Sequence, residues 1–118
     1  MRGASVFGPT EAAAVLRDIL EPFRDIGVMG ANPTKERSYG ATDSTSFSWA
    51  GLPAVNLSQD PIEYISHSWH TDLDTYERVL EGDLKQCVIV VASLAYHLAM
   101  RDEMLPRFGA DKMPGQGK

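Results

Sequence analysis

A chain of 118 residues, 43% of them hydrophobic and 23% charged, suits one globular domain with a core of its own. Eleven Lys and Arg stand against 16 Asp and Glu, so the net charge is −5. That balance excludes the basic surface a nucleic-acid binder needs to displace counterions, and it disfavours an anionic membrane. The one cysteine, Cys87, excludes a disulfide framework and a thiolate zinc site within one chain.

The opening "MRGASVFGPTEAAAV" has one Arg and no long apolar run, so no signal peptide is visible and residues 1–9 are expected to be a flexible lead. Gly8-Pro9-Thr10-Glu11 reads as a helix start, with Pro by the first turn and an early carboxylate facing the positive end of the helix dipole. In "EAAAVLRDILEPFRDIG", Val15, Ile19, Leu20 and Phe23 recur at helical spacing, Pro22 kinks or ends the regular part, and Gly27 stops it. "VMG" is a short apolar run with the look of a buried strand. The 16 residues "ANPTKERSYGATDSTS" are loop by composition, and loops of that length in compact domains are often functional.

"TSFSWAG" reads as a short helix closed by Gly51, and "LPAVNLSQ" as a second buried strand. "DPIEYISHSWHTDLDT" is a further long loop. "DLKQCVIVVASLAYHLAMRDEML" is the clearest element, a long helix with an Asp83–Gln86 capping box. Leu84, Cys87, Val88, Val91, Ala95 and Leu98 fall on one face, and Ile89, Val90, Ala92 and Met100 cover much of the rest. A helix apolar nearly all round is expected to be buried, and it is too short and too interrupted by Ser93 and His97 to cross a bilayer comfortably. The chain is therefore expected to be soluble, ending in a frayed tail over residues 108–118. The order helix, strand, short helix, strand, long helix predicts an α/β fold, a partial three-layer αβα sandwich whose sheet is incomplete.

Chemistry-bearing residues gather in "SHSWHTDLDTYERV". His67, His70, Asp72 and Asp74 are all zinc-ligand types, and a catalytic zinc needs three protein ligands and an open position. Two loop histidines and two turn-capping aspartates read equally well as surface punctuation. Nucleophilic readings are weaker. Ser44 or Ser46 lacks the Gly-x-Ser-x-Gly elbow, and Cys87 sits in an apolar helical run where an inert thiol is expected. The sequon at Asn56 falls in an expected buried strand.

Two segments carry a resemblance. "GATDSTSFSWAGLPAVNLSQDP" resembles the Gly-x-x-Asp-His-x-x-Phe-x-x-x-Gly-hydrophobic-Pro-Ala stretch of the zinc-dependent aminopeptidases, and "WHTDLDTYERVLEGDLKQ" resembles their His-Thr-x-x-Asp-Thr segment. The family is the di-zinc exopeptidase group, which also includes glutamate carboxypeptidases and glutaminyl cyclases. The likeness spans residues 10–107, read as the C-terminal part of such a catalytic domain. It implies that His70 is the last zinc ligand, that Thr71 and Asp74 support it, and that Asp43, with Tyr39 and Phe47, lines the substrate pocket.

The sequence departs from the pattern at Ser44, where the family has His, and at Trp69, where many relatives have a second His. It also lacks the family's upstream ligands and the Glu-Glu pair whose first Glu is the general base. The resemblance thus implies a zinc peptidase acting on peptide substrates, of which this chain is a fragment. Alone it is expected to hold no zinc tightly and to be inactive, with no catalytic residue of its own. An interaction module reusing the fold piece is the alternative. Unpaired strand edges and apolar surface lead to the expectation of a homo-oligomer, or of docking to the remaining part of the peptidase.

Overall fold

Gly3–Phe7, expected to be part of a flexible lead, forms the central strand of the sheet, β1, and all five of its residues are buried. The computed structural model describes residues 1–37 and 42–115. β1 pairs parallel with β2 (Ala31–Thr34) and antiparallel with β3 (Ala54–Ser58), giving the strand order β2-β1-β3. Val6 faces Pro33 on one side and Val55 on the other. A strand of small residues, "GASVF", shows neither alternation nor a long apolar run, so its neighbours in space rather than its own pattern make it a strand. The sheet is an incomplete layer of an α/β fold, as expected, but with three strands instead of two.

The parallel β1–β2 pair needs a crossover. Helix α1 (Thr10–Leu20) and a 3-10 turn (Glu21–Ile26) supply it. Pro22 has no N–H to continue the helical ladder, which accounts for the change to 3-10 geometry just before it. Gly27, at φ +90°, ends the turn in the left-handed region as expected. Ala12, Leu16 and Leu20 sit four apart and, with Ala13, bury one face of α1 against Ala4, Val6 and Ala31. Val28 is buried, but the strand begins three residues later, in "ANPT", which reads as a loop because of Asn-Pro. An edge strand tolerates Pro33, since a missing N–H on an edge breaks no central ladder.

Helix α2 (Ser44–Trp49) is closed by Gly51 at φ +78° and lies beside β3. Helix α3 (Glu81–Ala99) returns across α1. It starts ahead of Asp83, and the capping box does not form. The Gln86 amide instead reaches across to donate to the Ile26 carbonyl at 2.6 Å. Nor is α3 buried all round: Val90 and Leu94 enter the core, Val91 and Leu98 pack at its margin, and the opposite face is exposed. Helix α3 packs along one side against α1, and no other described element covers its outer side. No helix among the described residues is long and apolar enough to cross a membrane.

The second face of the sheet meets the C-terminal segment, which over residues 108–115 is docked rather than frayed. Phe108 meets Phe7 edge-on at 5.4 Å between ring centroids, and the Arg37 guanidinium lies over the same Phe7 ring. Arg37 donates to the carbonyls of Ser48 (2.7 Å) and Trp49 (2.9 Å) at the end of α2, and to Pro114 (2.8 and 2.9 Å). One planar fork of donors thus ties the loop, the C-terminal end of α2 and the tail together.

Candidate functional site

The loop leaving β3 carries the candidate ligand. Its first turn is a π-helical turn (Tyr64–Ser68), an irregularity that often marks functional sites. Glu63 O accepts from the amides of both His67 (2.9 Å) and Ser68 (3.2 Å), and Tyr64 O accepts from that of Trp69 (2.8 Å). The chain then reverses at His70, whose φ of +57° is left-handed. Thr71 fastens the reversal: its hydroxyl donates to the His67 carbonyl at 2.5 Å and accepts from the Leu73 amide at 3.2 Å. The Asp74 amide donates to Thr71 O at 3.3 Å. The stretch read as a long loop is ordered as a sequence of tight turns closed by backbone bonds.

The His70 side chain is exposed, and its ring meets Trp69 edge-on at 4.6 Å between centroids. Among the described residues no hydrogen bond joins the imidazole to Thr71 or Asp74. Thr71 acts on the backbone on both sides of His70, and the Asp74 side chain lines a separate groove of about 780 Å³ together with Tyr64, Ser68, Arg78, Leu84 and Cys87. Cys87 is half-buried on that groove rather than sunk in the core. His67 has one ring nitrogen, Nδ1, engaged with the Ser66 hydroxyl at 2.8 Å. Asp72 is exposed.

Asp43 and Phe47 lie together in a second hollow of about 620 Å³, with Thr42, Ser44, Pro53 and Val55. Ser44, at the position where the resembling family carries His, donates to Asn56 Oδ1 on β3 at 2.9 Å, as Thr42 does at 3.1 Å. Asn56 therefore anchors the wall of this hollow, a role its place in a presumed buried strand did not announce. Tyr39 lies outside the described residues.

Ion pairs frame the groove. Arg2, at the start of β1, meets Asp60 at 2.6 Å, and Arg78 meets Glu63 at 2.6 Å. The hydrogen bond from Arg2 holds the Asp60 carboxyl below its ordinary value. Glu77 is lowered by its own backbone amide and then by the Thr75 hydroxyl. Ile62 stands at φ +42°, an outlier for a β-branched residue that sequence reasoning had no means of finding.

Among the described residues, no three of His, Cys, Asp and Glu converge where they could hold a metal ion. A zinc ion needs three or four such donors, so the residues present do not fit it as a complete site. What the arrangement offers is one exposed imidazole on a fastened turn beyond the end of a strand, beside an α/β layer.

The α/β layer and the histidine turn do not by themselves define an activity, and a comparison with protein families supplies the class. The model of Peptidase family M28 matches residues 4–95, and the chain belongs to this family of zinc-dependent aminopeptidases and carboxypeptidases. The match begins inside β1, so the central strand is part of the family's domain. No curated protein and no solved structure matches the chain.

Proposed function

We propose that the chain is the C-terminal part of a zinc exopeptidase catalytic domain and that its chemical contribution is a single metal ligand, His70. The observation that carries this reading is the His70 turn. An exposed imidazole sits at a left-handed corner that Thr71 pins from both sides, within a chain matched to Peptidase family M28. Such pinning favours a ligand, because a preset geometry reduces the ordering cost of binding. The remaining ligands and the general base come from a polypeptide segment outside these 118 residues. Asp43 and Phe47, which share a hollow, serve as the wall for a peptide substrate.

The isolated chain has no peptidase activity on this reading, because affinity for zinc comes from several ligands acting together. Calorimetric titration of zinc into the chain and into His70→Ala tests the ligand. Weak binding that the substitution abolishes is expected. Tight binding that survives it would overturn the assignment. A second reading, a non-catalytic interaction module, is favoured by one observation: the outer face of α3 is apolar and exposed.

A further inference from the structure

The groove of about 780 Å³ beside the His70 loop has two walls. One is the start of α3, where Leu80, Asp83, Leu84 and Cys87 stack at i, i+3, i+4 and i+7 along one side of the first two turns. The other is the chain after β3, from Asp60 to Tyr64, joined by Asp74 and the turn at Glu77 and Arg78. The Arg2–Asp60 and Arg78–Glu63 pairs brace this second wall, which reduces the ordering a ligand must impose on it. We infer that the groove docks a peptide segment of a partner protein in which Lys or Arg alternates with apolar residues.

The apolar half of that chemistry is met by side chains left wet. Ile26, Tyr64, Val79, Leu80 and Leu84 all line the groove, and each is 47 to 53% exposed. Ile62 stands among them 66% exposed, at a φ of +42° that a β-branched residue rarely adopts. The backbone therefore holds an apolar side chain out over the groove at a cost in strain. Contiguous apolar surface rimmed by charge is the pattern of a docking site.

The cationic half follows from the charge of the lining. Five carboxylates line the groove, against Arg2, Arg78 and the Met1 ammonium. The positive end of α3 adds about half a charge, so the lining stays net negative. Asp60 and Glu63 are held by the two arginines, whereas Asp74, Glu77 and Asp83 form no ion pair among the described residues. Asp83 acts on Arg2 at longer range, but Arg2 is already committed to Asp60. Gln86 is engaged on both sides, by the Met1 nitrogen at 3.3 Å and the Ile26 carbonyl at 2.6 Å, so the three carboxylates are the groups left for a ligand's cations. A second copy is a poor occupant, because the chain's own net charge is −5.

The inference rests on neither the zinc ligand nor the Asp43–Phe47 hollow, and its readout is peptide binding without metal. The probe is a short, end-blocked, fluorescein-labelled peptide of alternating Leu and Lys, followed by anisotropy at low salt. It should bind saturably, and its counterpart of alternating Leu and Glu should not. Replacing the three free carboxylates together (Asp74→Asn, Glu77→Gln, Asp83→Asn) should weaken binding roughly tenfold, at a few tenths of a kcal/mol for each exposed charge. The same loss of charge away from the groove (Asp18→Asn, Asp102→Asn, Glu103→Gln) should leave it within about twofold. All six positions are exposed, and an unchanged circular dichroism spectrum checks that both variants fold. Ile62→Gly, which relieves strain, should still weaken binding about fivefold through lost apolar contact. On titration the Leu80 and Leu84 amide resonances should shift. No saturable binding, equal binding of the Leu–Glu peptide, equal losses in the two triple variants, indifference to Ile62→Gly, or shifts confined to the hollow at Phe47 would each overturn the proposal.

Discussion

The left-handed backbone at His70 sets what this position will accept. At φ +57° a glycine is unstrained, whereas a β-branched residue pays for its second Cβ substituent. His70→Gly should therefore keep the fold at full stability while losing the imidazole, and His70→Val should cost roughly 1 to 2 kcal/mol. Chemical denaturation of the two variants separates backbone strain from ligand loss. Ile62, at φ +42°, makes the converse case: Ile62→Gly should be neutral or stabilising by up to about 1 kcal/mol, because strain is relieved where little packing is lost.

The Arg2–Asp60 pair has a defined pH signature. The Asp60 carboxyl titrates below its ordinary value because Arg2 hydrogen-bonds its charged form, and Arg2 is raised in turn by the same bond. A carboxyl depressed on folding lends its stabilisation above its unfolded value, about 3.9, and loses it as pH falls through the folded value. Asp60 should thus stay ionised to lower pH in the folded chain than in the Arg2→Ala variant. A carbon-detected NMR titration of the carboxyl reads this directly, and identical midpoints would refute it.

Among the elements, β1 depends on the absence of a side chain at its first residue. A Cβ on Gly3 would stand 2.6 Å from the Gly30 carbonyl oxygen, a backbone atom in the turn before β2 that cannot swing aside. Gly3→Ala should destabilise the fold by roughly 1 to 3 kcal/mol, the range of overpacking at a fixed contact, and thermal unfolding measures it. α1 contributes through Leu16, fully buried at the centre of the core. Leu16→Ala should cost about 2 to 5 kcal/mol. In the His70 loop, Thr71→Val removes the hydroxyl that accepts from the Leu73 amide. Hydrogen exchange at Leu73 should speed up while α1 and α3 keep their protection, since the change is local.

For the molecule as a whole, the decisive fact is that the first seven residues hold the sheet together. β1 is the one strand that pairs with both others. A chain beginning at residue 8 leaves two strands that do not touch each other, so it should lose cooperative unfolding altogether, a change visible in a circular dichroism melt. Membership of Peptidase family M28 agrees with that weight on β1, because the matched region begins at residue 4.

Helix periods, the glycine stops at Gly27 and Gly51, the strand at Ala54–Ser58 and the two motif segments were all legible in the amino-acid order. Each is a local property, carried by residues a few positions apart. The resemblance drawn from those motifs led to the family. The rest depended on partners distant along the chain. "GASVF" became a central strand because β2 and β3 flank it, and "ANPT" became a strand because an edge tolerates proline. The tail over residues 108–115 docked because Arg37 and Phe7 receive it, and α3 kept an apolar outer face because α1 meets only one side of it. Burial and pairing are properties of the folded surface area, which no short window of sequence encodes. For that reason the helices and the strand at Ala54–Ser58 could be read before folding, while the centre of the sheet and the exposed outer face of α3 could not.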